Sequence, residues 1–337
     1  MSSELIEPTI GNGTVPSMRR RRQARLRGTD ATLSVLALAG FAALAATTHG
    51  NVLTGPTLRA LFQFLAIPIL VGLAQMCVLC VGQMNLSVGV LTGLCAMVTA
   101  TLMVDAGLPA PLAVVLGIAV GAAAGFFNGL LVVVTRINGF IVTLATMTIL
   151  GGLRYRINGA STYFGYSPRL VHLGQSTVAG VPTVFVFAVV VAAAVALFFR
   201  RTVLGRQLLA SGGNPLAARL SGISNNRSVI VAHVLSGLLA GIAAIVIVAL
   251  SGSVNSTTGD DLLLPSFAAP IIAGVALSGG SVSVLGTCLA AFLVRLVDVA
   301  RAQYNISASW VDLIVGAVVL GAVLVEQIRY RQLGSRR

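Results

Sequence analysis

Residues 200–227 read RRTVLGRQLLASGGNPLAARLSGISNNR, from Arg200 to Arg227, with five arginines and no acidic residue. This is the one long polar stretch in the C-terminal half of the chain, and apolar runs flank it at about 181–199 and 228–250. Each run is close to the roughly 20 apolar residues that cross a hydrocarbon core as a helix. The stretch therefore reads as a loop held at one membrane face between two spans. Inside it, Asn214 can cap the free amides of a short helix, and Pro215 fits the first helical position, where its missing N–H has no partner to lose. Leu216, Leu220 and Ile223 follow at spacings of four and three, and Gly222 suits a C-terminal stop. A small amphipathic helix is expected at 214–222, on display outside the bilayer.

The rest of the chain agrees with this reading. Of its 337 residues, 56% are hydrophobic and 9% charged, with a mean hydropathy of +0.95. Soluble domains carry about 25% charged residues, so a soluble core is excluded. Ten apolar runs are candidate spans, at about 32–50, 61–82, 86–104, 111–134, 139–155, 181–199, 228–250, 264–279, 281–299 and 309–326. The expected fold is an all-α polytopic membrane protein of about ten transmembrane helices. With both termini inside, sixteen of the 22 arginines fall on the inner face. Five fall outside (Arg59, Arg154, Arg156, Arg169 and Arg301), and Arg295 lies in the ninth run. That bias matches the positive-inside rule. The expected division is an Arg-rich cytoplasmic tail at 1–30 without a cleavage site, a transmembrane unit at 31–328, and a short cytoplasmic tail at 329–337.

All the basic side chains are arginine; the chain has no lysine. A Walker A loop needs a lysine on the nucleotide phosphates, so ATP-driven work would require another polypeptide. A lysine Schiff base is excluded as well. The formal charge of +13 does not imply nucleic acid, because the arginines cluster beside spans. Cys77, Cys80, Cys95 and Cys288 lie in apolar runs and read as inert buried thiols. The three histidines (His49, His172, His233) are scattered, and no H-E-x-x-H or mid-span carboxylate cluster occurs. The chain therefore reads as a non-enzyme with no catalytic or metal site.

Three constellations remain. The polar break Gly82-Gln-Met-Asn85-Leu-Ser87-Val-Gly89 separates the second and third runs. Irregular backbone at membrane depth lines a cavity or is covered by protein; a plain cytoplasmic turn accounts for it equally well. Thr143 and Thr146 share a helix face, and their hydroxyls can meet a polar solute or, more commonly, bond back to the preceding turn. Arg295 and Asp298 are three apart and can pair on one face near a helix end. Asp260, Asp261 and Asp312 read as loop or helix-end residues. Gly117, Gly121 and Gly125 sit at a spacing that favours close helix packing. A faint internal echo links LSVGVLTG from Leu86 with VSVLGT from Val282, each following a Gly-containing break.

The chain resembles the permease subunits of bacterial ABC importers of the ribose/xylose/autoinducer-2 type, and more distantly the branched-chain amino-acid permeases. The resemblance spans about 60–326 and is strongest at LGRQLLASGGNPLAARLSGI, from Leu204 to Ile223. It extends to Phe140–Leu153 and to ALSGG ending at Gly280. In that family this loop couples the permease to its ATPase. The resemblance implies that role for Gly205, Arg206, Gly212, Gly213, Asn214, Ala217, Ala218, Arg219 and Gly222. It implies separate ATPase subunits that hold ATP and Mg, with no cofactor on this chain. A second permease subunit, identical or different, and an extracytoplasmic solute-binding protein complete the set in a bacterial inner membrane. The implied activity is import of a sugar or sugar-like solute by alternating access, with Asn85, Ser87, Thr143 and Thr146 as pathway candidates. Branched-chain amino acids or nucleosides are alternative cargo, and a self-sufficient facilitator is the alternative mechanism. The chain departs from the family at Asn85, where an acid is usual, and at Pro265.

Overall fold

The structure is a computed structural model that describes the backbone of residues 18–159 and 161–307, and of scattered positions between 309 and 321. Its helices are α1 (Met18–Thr47), α2 (Gly55–Leu79), α3 (Val88–Val104), α4 (Ala110–Thr135), α5 (Gly139–Asn158) and α6 (Pro168–Gln175). There follow α7 (Thr183–Arg201), α8 (Val203–Gly213), α9 (Pro215–Leu220), α10 (Asn225–Ser251), α11 (Leu263–Ile272) and α12 (Val284–Tyr304).

Among the described residues, 6 helices are long and apolar enough to cross a membrane: α1 from Thr29, α2, α4, α5, α7 and α10. α3 is a shorter apolar helix of 17 residues. α12 has 21 residues and carries Arg295, Asp298 and Arg301 among its apolar positions. The eighth expected span is where the structure differs most. The run 264–279 is helical only in the 10 residues of α11. Pro270 deprives that helix of an amide near its end, and Gly274, Gly279 and Gly280 then take φ of +75°, +86° and +78°, which only glycine adopts freely. Pro265, by contrast, sits in the first turn of α11, where a missing N–H costs nothing. The tenth run and the tail at 329–337 fall largely or wholly outside the described residues, as does Asp312.

α1 begins at Met18, so the arginine-rich stretch runs in one helix into the apolar span that starts at Thr29. Asp30 on this helix accepts a hydrogen bond from Ser283 Oγ at 2.5 Å, and Ser283 in turn caps α12 by accepting from Gly286 N. The chain is also not purely helical. β1 (Thr162–Phe164) pairs antiparallel with β4 (Ser253–Asn255), Tyr163 opposite Val254. β2 (Thr177–Val178) pairs with β3 (Val181–Pro182).

Two helices form the centre. In their most apolar windows α2 and α10 are 72% and 67% buried, against 17–22% for α1, α4, α5 and α7. Lipid gives helices no hydrophobic reason to associate, so close backbone approach and polar contacts must hold them together. α4 supplies the approach. A Cβ at Gly121 would overlap the Gly237 carbonyl oxygen of α10, and one at Gly125 would overlap that of His233. The expected packing role of the 117/121/125 spacing is thus met by a matching small-residue face on α10, at Gly237 and Gly241.

Candidate functional site

The loop that opened the sequence folds into α8 and α9. Thr202 caps α8 by accepting from Gly205 N at 3.0 Å, and Asn214 caps α9 by accepting from Ala217 N at 3.0 Å. Pro215 occupies the first position of α9. The stop is formed at Gly222, with φ +77°, while Ile223 N reaches back to Ala218 O at 2.9 Å. The expected cap, first-turn proline and glycine stop are all present.

The nine residues assigned to this loop separate into two groups. Gly205, Gly212 and Ala218 are buried, whereas Arg206, Gly213, Asn214, Ala217, Arg219 and Gly222 are exposed. Gly205 lets α8 cross the end of α7, since a Cβ there would overlap the Phe198 carbonyl oxygen. Gly212 lies against the Cys80 carbonyl, in the break after α2, and 2.7 Å separates its would-be Cβ from Gly280 N. Gly280 N itself donates to Cys80 O at 2.8 Å. The end of α8 therefore touches both helix breaks, the one after α2 and the one after α11. The breaks that precede the two stretches of the internal echo thus lie side by side. Leu216 and Leu220 are one helical turn apart and 68% and 82% exposed. Asn225 fixes this arrangement: its Oδ1 accepts from Ser211 Oγ at 2.9 Å and its Nδ2 donates to Pro215 O at 2.8 Å.

The break at 80–87 is held by a buried polar network. Asn85 Oδ1 accepts from Ser87 N at 3.0 Å and Ser87 Oγ at 2.6 Å, and Asn85 Nδ2 donates to Ser236 Oγ of α10 at 3.1 Å. Asn128 Nδ2 of α4 donates to Ser87 Oγ at 3.1 Å. The Gln75 amide faces the Asn85 peptide. Turned with nitrogen toward the carbonyl, it donates to Asn85 O at 2.8 Å and accepts from Asn85 N at 3.3 Å. On α5, Thr143 Oγ1 accepts from Leu86 N at 3.0 Å and donates back to Gly139 O at 2.7 Å. Gln83 Oε1 accepts from Gly139 N at 2.8 Å. Four helices thus converge on one irregular segment and satisfy its free backbone groups.

The structure brings Asn85, Ser87 and Thr143 together, with Thr146 one turn along α5. All four are buried, and their polar atoms face one another and not open space. Thr146 Oγ1 bonds only to Thr143 O, at 3.3 Å. The groove beside the break, about 420 Å³, is lined by Gly82, Met84, Asn138, Phe140 and Ile141, and by none of the four. In this conformation their side chains bond to one another and to neighbouring backbone. Gln75, Asn128 and Ser236 went unnoticed in the sequence. The signal was there for two of them: a lone amide in the middle of a long apolar run has to find a partner.

Two charged pairs are present among the described residues. Arg295 Nη1 lies 3.4 Å from Asp298 Oδ2, as their spacing implied, and its guanidinium sits 5.2 Å from the centroid of the Phe64 ring. Arg154, near the end of α5, is buried and paired with Asp260 at 2.7 Å, a partner that the sequence did not suggest. The cysteines are free and Cys77, Cys80 and Cys95 are buried.

Against this geometry, comparison with known proteins is informative. Residues 57–323 match the family described as branched-chain amino acid transport system / permease component. The autoinducer 2 import system permease protein LsrC of Enterobacter sp. (strain 638) is 33% identical over 310 residues, covering 92% of this chain and 89% of its own. Its counterpart from Yersinia enterocolitica is 30% identical over 87% of this chain and 81% of its own. That from Escherichia coli (strain K12) is 32% identical over 82% and 80%. No solved structure matches the chain.

Proposed function

Because the chain belongs to the family of branched-chain amino acid transport system permease components, the membrane subunits of ABC importers, we propose that it is the translocation subunit of an ATP-driven importer whose cargo is autoinducer 2 or a closely sugar-like solute. The cargo reading rests on the names of relatives at 30–33% identity; the family description is broader and includes branched-chain amino acids. ATP and Mg are held by separate ATPase subunits, since this chain has no lysine for a phosphate-binding loop. A second permease subunit and an extracytoplasmic binding protein complete the machine in the bacterial inner membrane. In this reading residues 31–328 are the translocating unit, with ten spans and both termini inside, and 200–227 is its coupling loop.

The observation that carries the reading is α9. Leu216 and Leu220 lie bare on a capped helix whose buried side is fixed by Ala218 and Asn225. A facilitator has no use for an apolar helix face held rigidly outside the bilayer, whereas an ATPase groove needs one to push. ATP-driven closure displaces α9, α8 follows as one body, and Gly212 passes the movement to both helix breaks. The pathway then opens alternately to the two sides. Asn85, Ser87, Thr143 and Thr146 act in this scheme as positioning residues that keep the first break in register.

The test is assembly. Arg219→Glu and Leu220→Asp are expected to lower copurification with the cognate ATPase about tenfold or more, together with solute-stimulated ATP hydrolysis, while membrane insertion is retained. Undiminished copurification and turnover in both variants defeat the coupling role. Uptake of autoinducer 2, ribose and leucine by the complete system separates the cargo classes.

A further inference from the structure

The buried network around Asn85 leaves the permease without an assigned group for contacting its cargo, and the pair Arg154–Asp260 has the setting of such a group. Arg154 Nη1 donates to Thr258 O at 2.6 Å and Nη2 to Asp260 Oδ1 at 2.7 Å. Its side chain is 5% exposed, that of Asp260 48%. The Nε–H of Arg154 is buried and finds no acceptor among the described residues. Asp260 stands in the 3-10 turn Asp260–Leu262 that leads into α11. The other carboxylate oxygen, Oδ2, is engaged by no side chain or backbone group among the described residues.

The place of the pair in the fold follows from its packing. The Thr258 carbonyl lies against Gly93 and the Gly259 carbonyl against Gly89, both in the first two turns of α3. At 1.5 Å per residue Gly93 is roughly 8 Å along α3 from the helix break. Arg154 lies inside α5, four residues before its last residue. The pair is thus flanked by the first two turns of α3 and the last turns of α5. Charged side chains packed among membrane-spanning helices mark a functional site by default. A half-exposed carboxylate is not stable against hydrocarbon, so that side of the chain faces water or protein.

We propose that Asp260 is a solute-recognition residue on the translocation pathway, its free oxygen accepting hydroxyl hydrogens of a neutral, polyhydroxylated solute, with Arg154 as the positioning residue that fixes the carboxylate. The proposal rests on the permease reading above. Oδ1 is spent on Arg154, so the carboxylate keeps one orientation, and a preset acceptor loses little on binding. Anionic acceptors hold hydroxyl donors more strongly than neutral ones do. The turn leads directly into α11, the helix that ends at the second break.

The experiment uses the complete transporter in proteoliposomes, with autoinducer 2 and ribose as probes. Asp260→Asn keeps an oxygen for Arg154 but puts a donor where the free acceptor was. It is expected to raise the half-saturating concentration about tenfold or more, with copurification of all subunits retained, and Asp260→Glu is expected to recover part of the loss. Asp260→Cys in a Cys288→Ala background is expected to react with a water-soluble thiol reagent in the assembled complex, and more slowly with the transported probe present. Parental uptake by Asp260→Asn overturns the proposal. So does a thiol that reacts only after the subunits are separated, which would mean that a partner subunit covers Asp260. If the parental complex moves neither probe, the cargo reading fails instead, and thiol reactivity in the assembled complex still decides whether Asp260 faces an aqueous path.

Discussion

Asn85 shows what a single residue does here. By the resemblance drawn from the sequence it replaces an acid, and the exchange is compatible with its surroundings. Oδ1 takes two hydrogen bonds from Ser87, which a carboxylate oxygen would take equally. Nδ2 donates to Ser236 Oγ, and that hydroxyl can rotate to donate to a carboxylate instead. Asn85→Asp is therefore expected to assemble and transport near the parental level. Asn85→Leu strands the Ser87 amide and the Ser236 and Ser87 hydroxyls in a buried site, each orphan costing about 1–3 kcal/mol in a protein interior and less between membrane helices. Its thermal midpoint in detergent should fall well below that of Asn85→Asp; equal midpoints would remove the network from the account. The sequence shows the polar residues of the break plainly. Their partners, Gln75, Asn128 and Ser236, lie 10, 41 and 151 positions away by residue number from the residues they bond, and no local pattern links such positions.

At the scale of elements, the unit that matters is α8 with its two neighbours. Thr202 and Asn214 cap α8 and α9 by bonds that their sequence positions foretell. What α8 touches is not foretold. Gly212 fills a point where three chain segments meet, and the would-be Cβ of Gly279 lies 2.6 Å from Gly82 N. Gly212→Ala must push α8 away from the Cys80 carbonyl, at about 1–3 kcal/mol. The expected result is an intact complex in which ATP hydrolysis no longer responds to solute, measured side by side with uptake. Preserved coupling would show that force reaches the breaks by another route. The eighth span belongs to this scale as well. Its apolar composition promised a full crossing, but Pro270 and three left-handed glycines end the helix at Ile272. Hydropathy registers the depth at which a residue can lie, not whether its backbone remains helical.

For the whole molecule, the centre is the contact of α10 with α2 and α4, and it depends on residues without side chains. Gly121→Leu or Gly237→Leu would force apart backbones now in direct contact, and a sharp loss of monodisperse protein on size exclusion is expected. Gly152→Ala is the control: nothing lies within 4 Å of its would-be Cβ, so its yield should match the parent. Equal yields for all three would mean that the α4–α10 seam is not a determinant of the fold. The sequence by itself determined that the chain is a multi-span helical membrane protein, that a capped apolar helix is shown at one face, and that it cannot hydrolyse ATP through a lysine-dependent loop. Those conclusions follow from composition, spacing and local hydrogen-bonding, which are properties of neighbouring residues. Only the tertiary structure decided that Asn85 and Thr143 are knitted inward, that Arg154 is buried against Asp260, and that α8 meets both breaks. In a bilayer every polar group must find a partner within the protein, and which partner it finds depends on how distant helices pack, information that no stretch of sequence carries alone.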